Sequence, residues 1–124
     1  MSQIVVVVLP WPPAALSPNA RGHWAVRYTA GQKAKHNAYW TTREITARRK
    51  PKFRRGAEIP VYIVFQPPDS RRHDSDNVLA SCKAYLDGIA ESLNVDDLAF
   101  NPITVFRAPP AKDGLIAFTI GETK

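Results

Sequence analysis

The stretch Asp74-Ser75-Asp76-Asn77-Val78-Leu79-Ala80-Ser81-Cys82-Lys83-Ala84-Tyr85-Leu86-Asp87-Gly88-Ile89-Ala90-Glu91-Ser92-Leu93 decides the fold. From Val78 its apolar residues are Val78, Leu79, Cys82, Tyr85, Leu86, Ile89 and Leu93, at steps of 1, 3, 3, 1, 3 and 4. That is the stripe of an amphipathic helix. Asp74 to Asn77 are all good N-cap types. A strand-like run precedes the stretch, Ile59 to Phe65, and another follows it, Ile103 to Phe106. Strand, helix and strand in this order predict a parallel pair joined by a helical crossover.

Working outward, Ile4 to Leu9 reads as a strand buried on both faces, because it is apolar without alternation. Leu115 to Ile120 alternates and follows a Lys112-Asp113-Gly114 turn, which predicts a hairpin of the last two strands. Pro10, Pro67-Pro68 and Pro109-Pro110 mark strand exits, since proline cannot continue a ladder. A helix is predicted from Gln32 to roughly Arg49, followed by a basic linker. The expected architecture is one α+β domain over residues 1–124, ordered β-α-β-α-β-β. A mixed four-stranded sheet is packed by two main helices.

At 124 residues the chain fits one domain with a core of its own. A lone cysteine, Cys82, excludes an intramolecular disulfide and reads as an inert core thiol. The apolar run at Ile4 is too short for a signal segment or a membrane span, so the expectation is a soluble cytoplasmic protein with no membrane partner.

The net charge is +6, but it is unevenly laid out. Residues 1–72 carry 13 of the 17 Lys and Arg and three acids, a balance of +10; residues 73–124 carry four bases and eight acids, a balance of −4. Asp74, Asp76, Asp87, Glu91, Asp96 and Asp97 fall within 24 residues. Basic excess suits a polyanion. Bunched carboxylates oppose one unless a cation lies between them and phosphate.

No His/Cys set has zinc spacing, whereas oxygen ligands suit Mg²⁺. Asp74 and Asp76, one residue apart on extended chain, point in similar directions. Asp and Asn before a helix also serve as plain caps, and the residues alone leave both readings open. A 16-residue helix is about 24 Å long, so Asp96-Asp97 meet the first pair only if the chain after Leu93 folds back. Asp76, Lys83 and Asp87 share a helix face opposite the apolar stripe.

Four pieces in order resemble the RusA-type Holliday junction resolvases: Leu9-Pro10-Trp11-Pro12-Pro13 with Asn19, Asp74-Ser75-Asp76-Asn77, Lys83-Ala84-Tyr85-Leu86-Asp87, and Asp96-Asp97. The resemblance implies a Mg²⁺-dependent endonuclease, with Mn²⁺ as a substitute, cutting four-way DNA junctions as a homodimer. It implies a bacterial or phage protein with no organic cofactor. It assigns the metal to Asp74, Asp76 and Asp97, with Asp96 beside them, and a catalytic role to Lys83. In the family that lysine follows the Asp-Asn pair by three residues. Here five residues separate Asn77 from Lys83, which keeps the helix face but moves the lysine about 4.5 Å along the axis.

Candidate DNA contacts are Arg71 and Arg72 beside the motif, Asn19, Arg21, His23 and Lys33 further upstream, and Arg54 and Arg55 in the densest basic run. His73 is a candidate general base. Trp11, Trp24, Trp40 and Phe53 are either stacking residues or ordinary core. Two further readings stand beside the nuclease. A non-catalytic branched-DNA-binding protein would explain the basic half, and a Mg²⁺-dependent hydrolase of small nucleotides would explain only the acids.

Overall fold

The computed structural model describes residues 4–121. In chain order the elements are β1 (Val5–Pro10), a 3₁₀ turn at Ala14–Leu16, α1 (Trp24–Ile45), β2 (Ile59–Gln66), α2 (Ser75–Ser81), α3 (Lys83–Leu93), a 3₁₀ turn at Asp97–Ala99, β3 (Phe100–Arg107) and β4 (Leu115–Ile120). The fold is α+β around one mixed four-stranded sheet in the order β1-β4-β2-β3. β2 and β3 pair in parallel across the crossover formed by α2 and α3, as the strand-helix-strand pattern requires. β4 runs antiparallel to β1 and to β2.

Four expectations are corrected. β3 and β4 do not form a hairpin: β4 lies between β1 and β2. After β3 the Ala108 N–H bonds Phe65 O (2.9 Å) and the Ala111 N–H bonds Pro67 O (3.0 Å), so the chain crosses over the end of β2 before turning. Pro109-Pro110 bar a tight reversal, and Asp113 and Gly114, at φ 64° and 71°, make the turn once β2 has been passed. Nor is β1 buried on both faces. Val5, Val7 and Leu9 are buried while Val6 and Val8 are exposed, since the core lies on one side of the sheet only. The helix read through Val78–Leu93 starts at Ser75 and breaks at Cys82 (φ −93°, ψ 0°), giving α2 and α3.

The first helix also begins eight residues before Gln32. His23 caps it, its Nδ1 accepting the Ala25 N–H at 3.2 Å. Gly31 lies inside the helix rather than at its start. At the other end the Thr46 hydroxyl donates to Thr42 O at 2.9 Å.

α1 turns only Ala34, Ala38 and Thr42 fully inward. These small residues let α3 approach backbone to backbone at Gly88, where a Cβ would stand 2.3 Å from Lys35 O and 3.0 Å from Tyr39 N. Tyr85, Leu86, Ile89 and Leu93 of α3 join Val7, Ile63, Phe65, Ile116 and Phe118 of the sheet in the core. The Tyr85 hydroxyl donates to Pro10 O at 2.9 Å, tying α3 to the end of β1. Cys82 is fully buried, and burial pushes its thiol up to about 12, as an inert core thiol requires. Among the described residues no helix is long and apolar enough to cross a membrane.

Candidate functional site

β2 ends at Gln66, and the Pro67-Pro68 exit starts the loop that carries Arg71, Arg72 and the first aspartates. That loop is braced from three sides. Asp69 Oδ1 accepts the Arg71 N–H at 3.0 Å and lies 2.9 Å from His73 Nε2. His73, then the Arg71 N–H, hold the Asp69 carboxyl below the usual carboxylate range. The His73 ring meets Trp11 edge-on at 5.3 Å, and the Arg107 guanidinium donates to Arg71 O at 3.1 Å. His73 is thus engaged in bracing the loop.

Asp74 takes the N-cap position of α2 but makes no capping hydrogen bond. Its carboxylate instead lies 3.6 Å from Arg72 Nε, and the Arg71 and Arg72 side chains project into solvent. A cavity of about 570 Å³ opens here, lined by Trp11, Asn19, Arg71, Arg72, Asp74 and Asn77 among others. Two segments far apart in sequence, the Trp11–Asn19 loop and the acidic motif, therefore share one groove. Asp76 lies in the first turn of α2 and is exposed.

The second acidic pair is reached by a reversal. Asn94 adopts the left-handed conformation (φ 58°, ψ 44°), and the Val95 N–H returns to Ala90 O at 3.0 Å. The chain folds back, and its two aspartates part company. Asp96 caps the next 3₁₀ turn, accepting the Leu98 N–H at 2.9 Å. Asp97 comes close enough to Asp87 on α3 to act on its carboxyl. Burial, then the charge of Asp97, raise the Asp87 carboxyl above its usual range, while Lys35 and Lys83 pull it the other way. Among the described residues no three His, Cys, Asp or Glu side chains come together as a metal-holding group, so Asp74, Asp76, Asp96 and Asp97 do not form one cluster.

Lys83, at the first turn of α3, lines a smaller cavity of about 350 Å³ with Arg27, Tyr28, Lys35 and Asp87. Sequence reasoning placed Asp87 on this helix face but gave it no role. Its i, i+4 spacing to Lys83 was the available signal. Lys35 reads in the sequence only as one of the basic residues after Asn19, with no tie to the aspartates.

The remaining DNA candidates are dispersed. Arg21 stands exposed in the loop before α1, and His23 serves as the cap described above. Lys33 lies on α1 beside His36, Tyr39 and Trp40. Arg54 and Arg55 line a cavity of about 760 Å³ that also holds Asp96. Of the four aromatic candidates, Trp11 and Phe53 pack against the core, and Trp24 and Trp40 are exposed.

No family model matches the chain. It is similar to a protein of Xylella fastidiosa (strain Temecula1 / ATCC 700964) described as an uncharacterized protein, at 41% identity over 106 residues, or 81% of this chain. The chain spans 65% of that relative's length.

Proposed function

We propose that the chain is a Mg²⁺-dependent structure-specific endonuclease that resolves four-way DNA junctions by paired cuts as a homodimer, acting in a bacterial or phage setting in the cytoplasm. The observation that carries the reading is the shared groove, which sets Asp74 and Asn77 against Asn19, Arg71 and Arg72. The donors present, exposed aspartates with oxygen ligands only, fit a hard divalent cation. Asp74, Asp76 and Asp97 are the residues that would hold it, drawn together by the ion, since among the described residues they do not stand as one group. A Mg²⁺ held there would supply polarisation of the phosphate and an activated water.

The protein's own side chains do the rest. Arg71 and Arg72 project from a braced loop and grip the phosphates flanking the cut, with Arg72 exchanging its contact to Asp74 for one to DNA. Asn19 adds a neutral contact from the opposite wall. Lys83 and Lys35 offset the charge of the Asp87–Asp97 pair.

The sheet supports the homodimer. Its uncovered side presents the rows Val6–Thr119–Tyr62–Thr104 and Val8–Ala117–Val64–Phe106, with no charged side chain. Val6, Val8, Tyr62 and Phe106 are exposed there. Two copies can meet on such a face without like-charge repulsion, and a two-fold axis through it relates two sites to two strands.

A second reading, a branched-DNA-binding protein that does not cut, is favoured by the protein partners already held by Asp74 and Asp96. One experiment separates the two: a synthetic four-way junction incubated with the protein and Mg²⁺. Symmetric nicks that vanish in Asp76→Asn support the nuclease. Tight, salt-sensitive binding indifferent to Mg²⁺, with no nicks, supports the second reading. Identical cleavage by wild type and Asp76→Asn removes the proposed site.

A further inference from the structure

Along α1 large rings stand in water. Trp24 is 72%, Tyr28 61% and Trp40 52% exposed. They are not scattered singly. Trp24 meets Tyr28 edge-on at 6.5 Å; Trp40 meets His36 at 6.2 Å and Tyr39 at 5.1 Å, also edge-on. Close packing at Gly88 explains why they are outside: the inward stripe of α1 has room only for small residues. It does not explain why aromatic side chains occupy the outward positions.

The charges around them are mostly positive. α1 carries Arg27, Lys33, Lys35 and Arg43 against one acid, Glu44. Lys35 is matched by Glu91 of α3 at 3.1 Å, and Arg43 donates to the Tyr39 hydroxyl at 3.2 Å with its guanidinium 6.0 Å from that ring. Lys33, Lys35, His36, Tyr39 and Trp40 line a cavity of about 790 Å³ along the helix, together with Glu91, whose charge Lys35 already meets. Rings interleaved with cations are the combination that binds unpaired nucleotides: bases stack on the rings, and phosphates meet the cations. Bases in an intact duplex are stacked on each other and cannot reach a ring on a helix surface. An apolar protein partner fits the uncharged sheet face better than this cationic one.

We propose that the outward side of α1 is a binding surface for unpaired nucleotides, with Trp40 stacking on a base and Lys33 engaging the backbone phosphate. The proposal rests on the reading of the chain as a DNA-binding protein but not on cleavage, since it involves neither the aspartates nor Mg²⁺. Trp24 and Tyr28 lie about 20 Å nearer the N-terminus and more than about 100° round the helix from Trp40, so they form a separate aromatic pair outside this surface.

The test uses the full chain without divalent metal. A 12-mer of thymidylate and an abasic 12-mer of equal charge are titrated against it, followed by label anisotropy and by tryptophan fluorescence. Stacking predicts quenching by the thymidylate and binding roughly 10-fold tighter than to the abasic strand. Trp40→Ala should fall to about the abasic level, and Trp40→Phe should keep most of the preference. Lys33→Ala should weaken both strands alike and flatten the salt dependence. Circular dichroism verifies that each variant is folded, and Trp24→Ala, outside the surface, should keep the wild-type preference. Equal binding of the two strands by wild type, or a Trp40→Ala variant indistinguishable from it, overturns the proposal. Junction cleavage scored on the same protein keeps the two readings apart: lost base preference with intact cleavage sinks only the stacking surface, and base preference without cleavage sinks only the nuclease.

Discussion

Gly88→Ala should destabilise this fold, although alanine ordinarily gains about 1 kcal/mol over glycine inside a helix. The added methyl would stand 2.3 Å from Lys35 O, 3.0 Å from Ala38 Cβ and 3.0 Å from Tyr39 N. Two of those neighbours are backbone atoms of α1 and cannot swing aside, so the helices must separate by about 1 Å. Overpacking of this kind costs typically 1–3 kcal/mol, and more where backbone must shift. The expected net loss is about 1–2 kcal/mol, or roughly 4–8 °C in Tm at an unfolding entropy of about 2.1 cal/mol/K per residue. Gly31→Ala is the internal control. It lies in α1 with only Leu16 Cδ2 nearby, at 3.8 Å, an ordinary contact, and should gain about 0.5–1 kcal/mol. Urea unfolding of the three proteins by circular dichroism decides the matter. If Gly88→Ala is as stable as Gly31→Ala, the close contact of α1 with α3 is wrong, and with it the reason given for the aromatic exterior of α1.

Asp87 should show itself in the pH dependence of stability. Its carboxyl is raised above the usual range, so the stability it carries is present below about pH 4, the unfolded value, and is lost as pH climbs through the native one. Asp87→Asn, unfolded by urea in EDTA buffers, should therefore gain on wild type as pH rises from 4 to 7; a gap constant with pH would refute the partly buried setting of Asp87 beside Asp97. At the sheet, Val8→Lys and Phe106→Lys each add a cation to the uncharged face. Sedimentation should find wild type dimeric at tens of micromolar and both variants monomeric, whereas a wild-type monomer at that concentration would remove the proposed interface.

Much of this fold is legible locally. β-branched runs mark the strands, and the steps from Val78 to Leu93 mark the crossover helix. Strand order is another matter. Nothing near Leu115–Ile120 says that it inserts between β1 and β2, because that depends on how far the chain travels past β2 before turning. The site divides in the same way. Asp74 beside Arg72 is a neighbour effect that the sequence displays, and so is the i, i+4 pair of Lys83 and Asp87. Asp97 meeting Asp87 depends on one left-handed residue, Asn94, and on the direction of the reversal it makes. The exposure of Trp24 and Trp40 was hidden for a different reason. Hydrophobicity alone sends tryptophan inward, whereas Ala34, Ala38 and Thr42 at four-residue spacing were the sign that this helix has a neighbour too close for large side chains.

The placement of β4 bears on how the chain can fold. β1 makes no ladder with β2 or β3; both halves of the sheet are joined through β4 alone. Yet β4 is the strand a ribosome delivers after the other three. Until it emerges, β1 is an unpaired ribbon and the β2–β3 pair has an open side, both carrying apolar residues meant for the core. The sheet therefore closes in one late step built on contacts distant in sequence, the kind that makes folding slow and leaves the nascent chain prone to pairing with its neighbours.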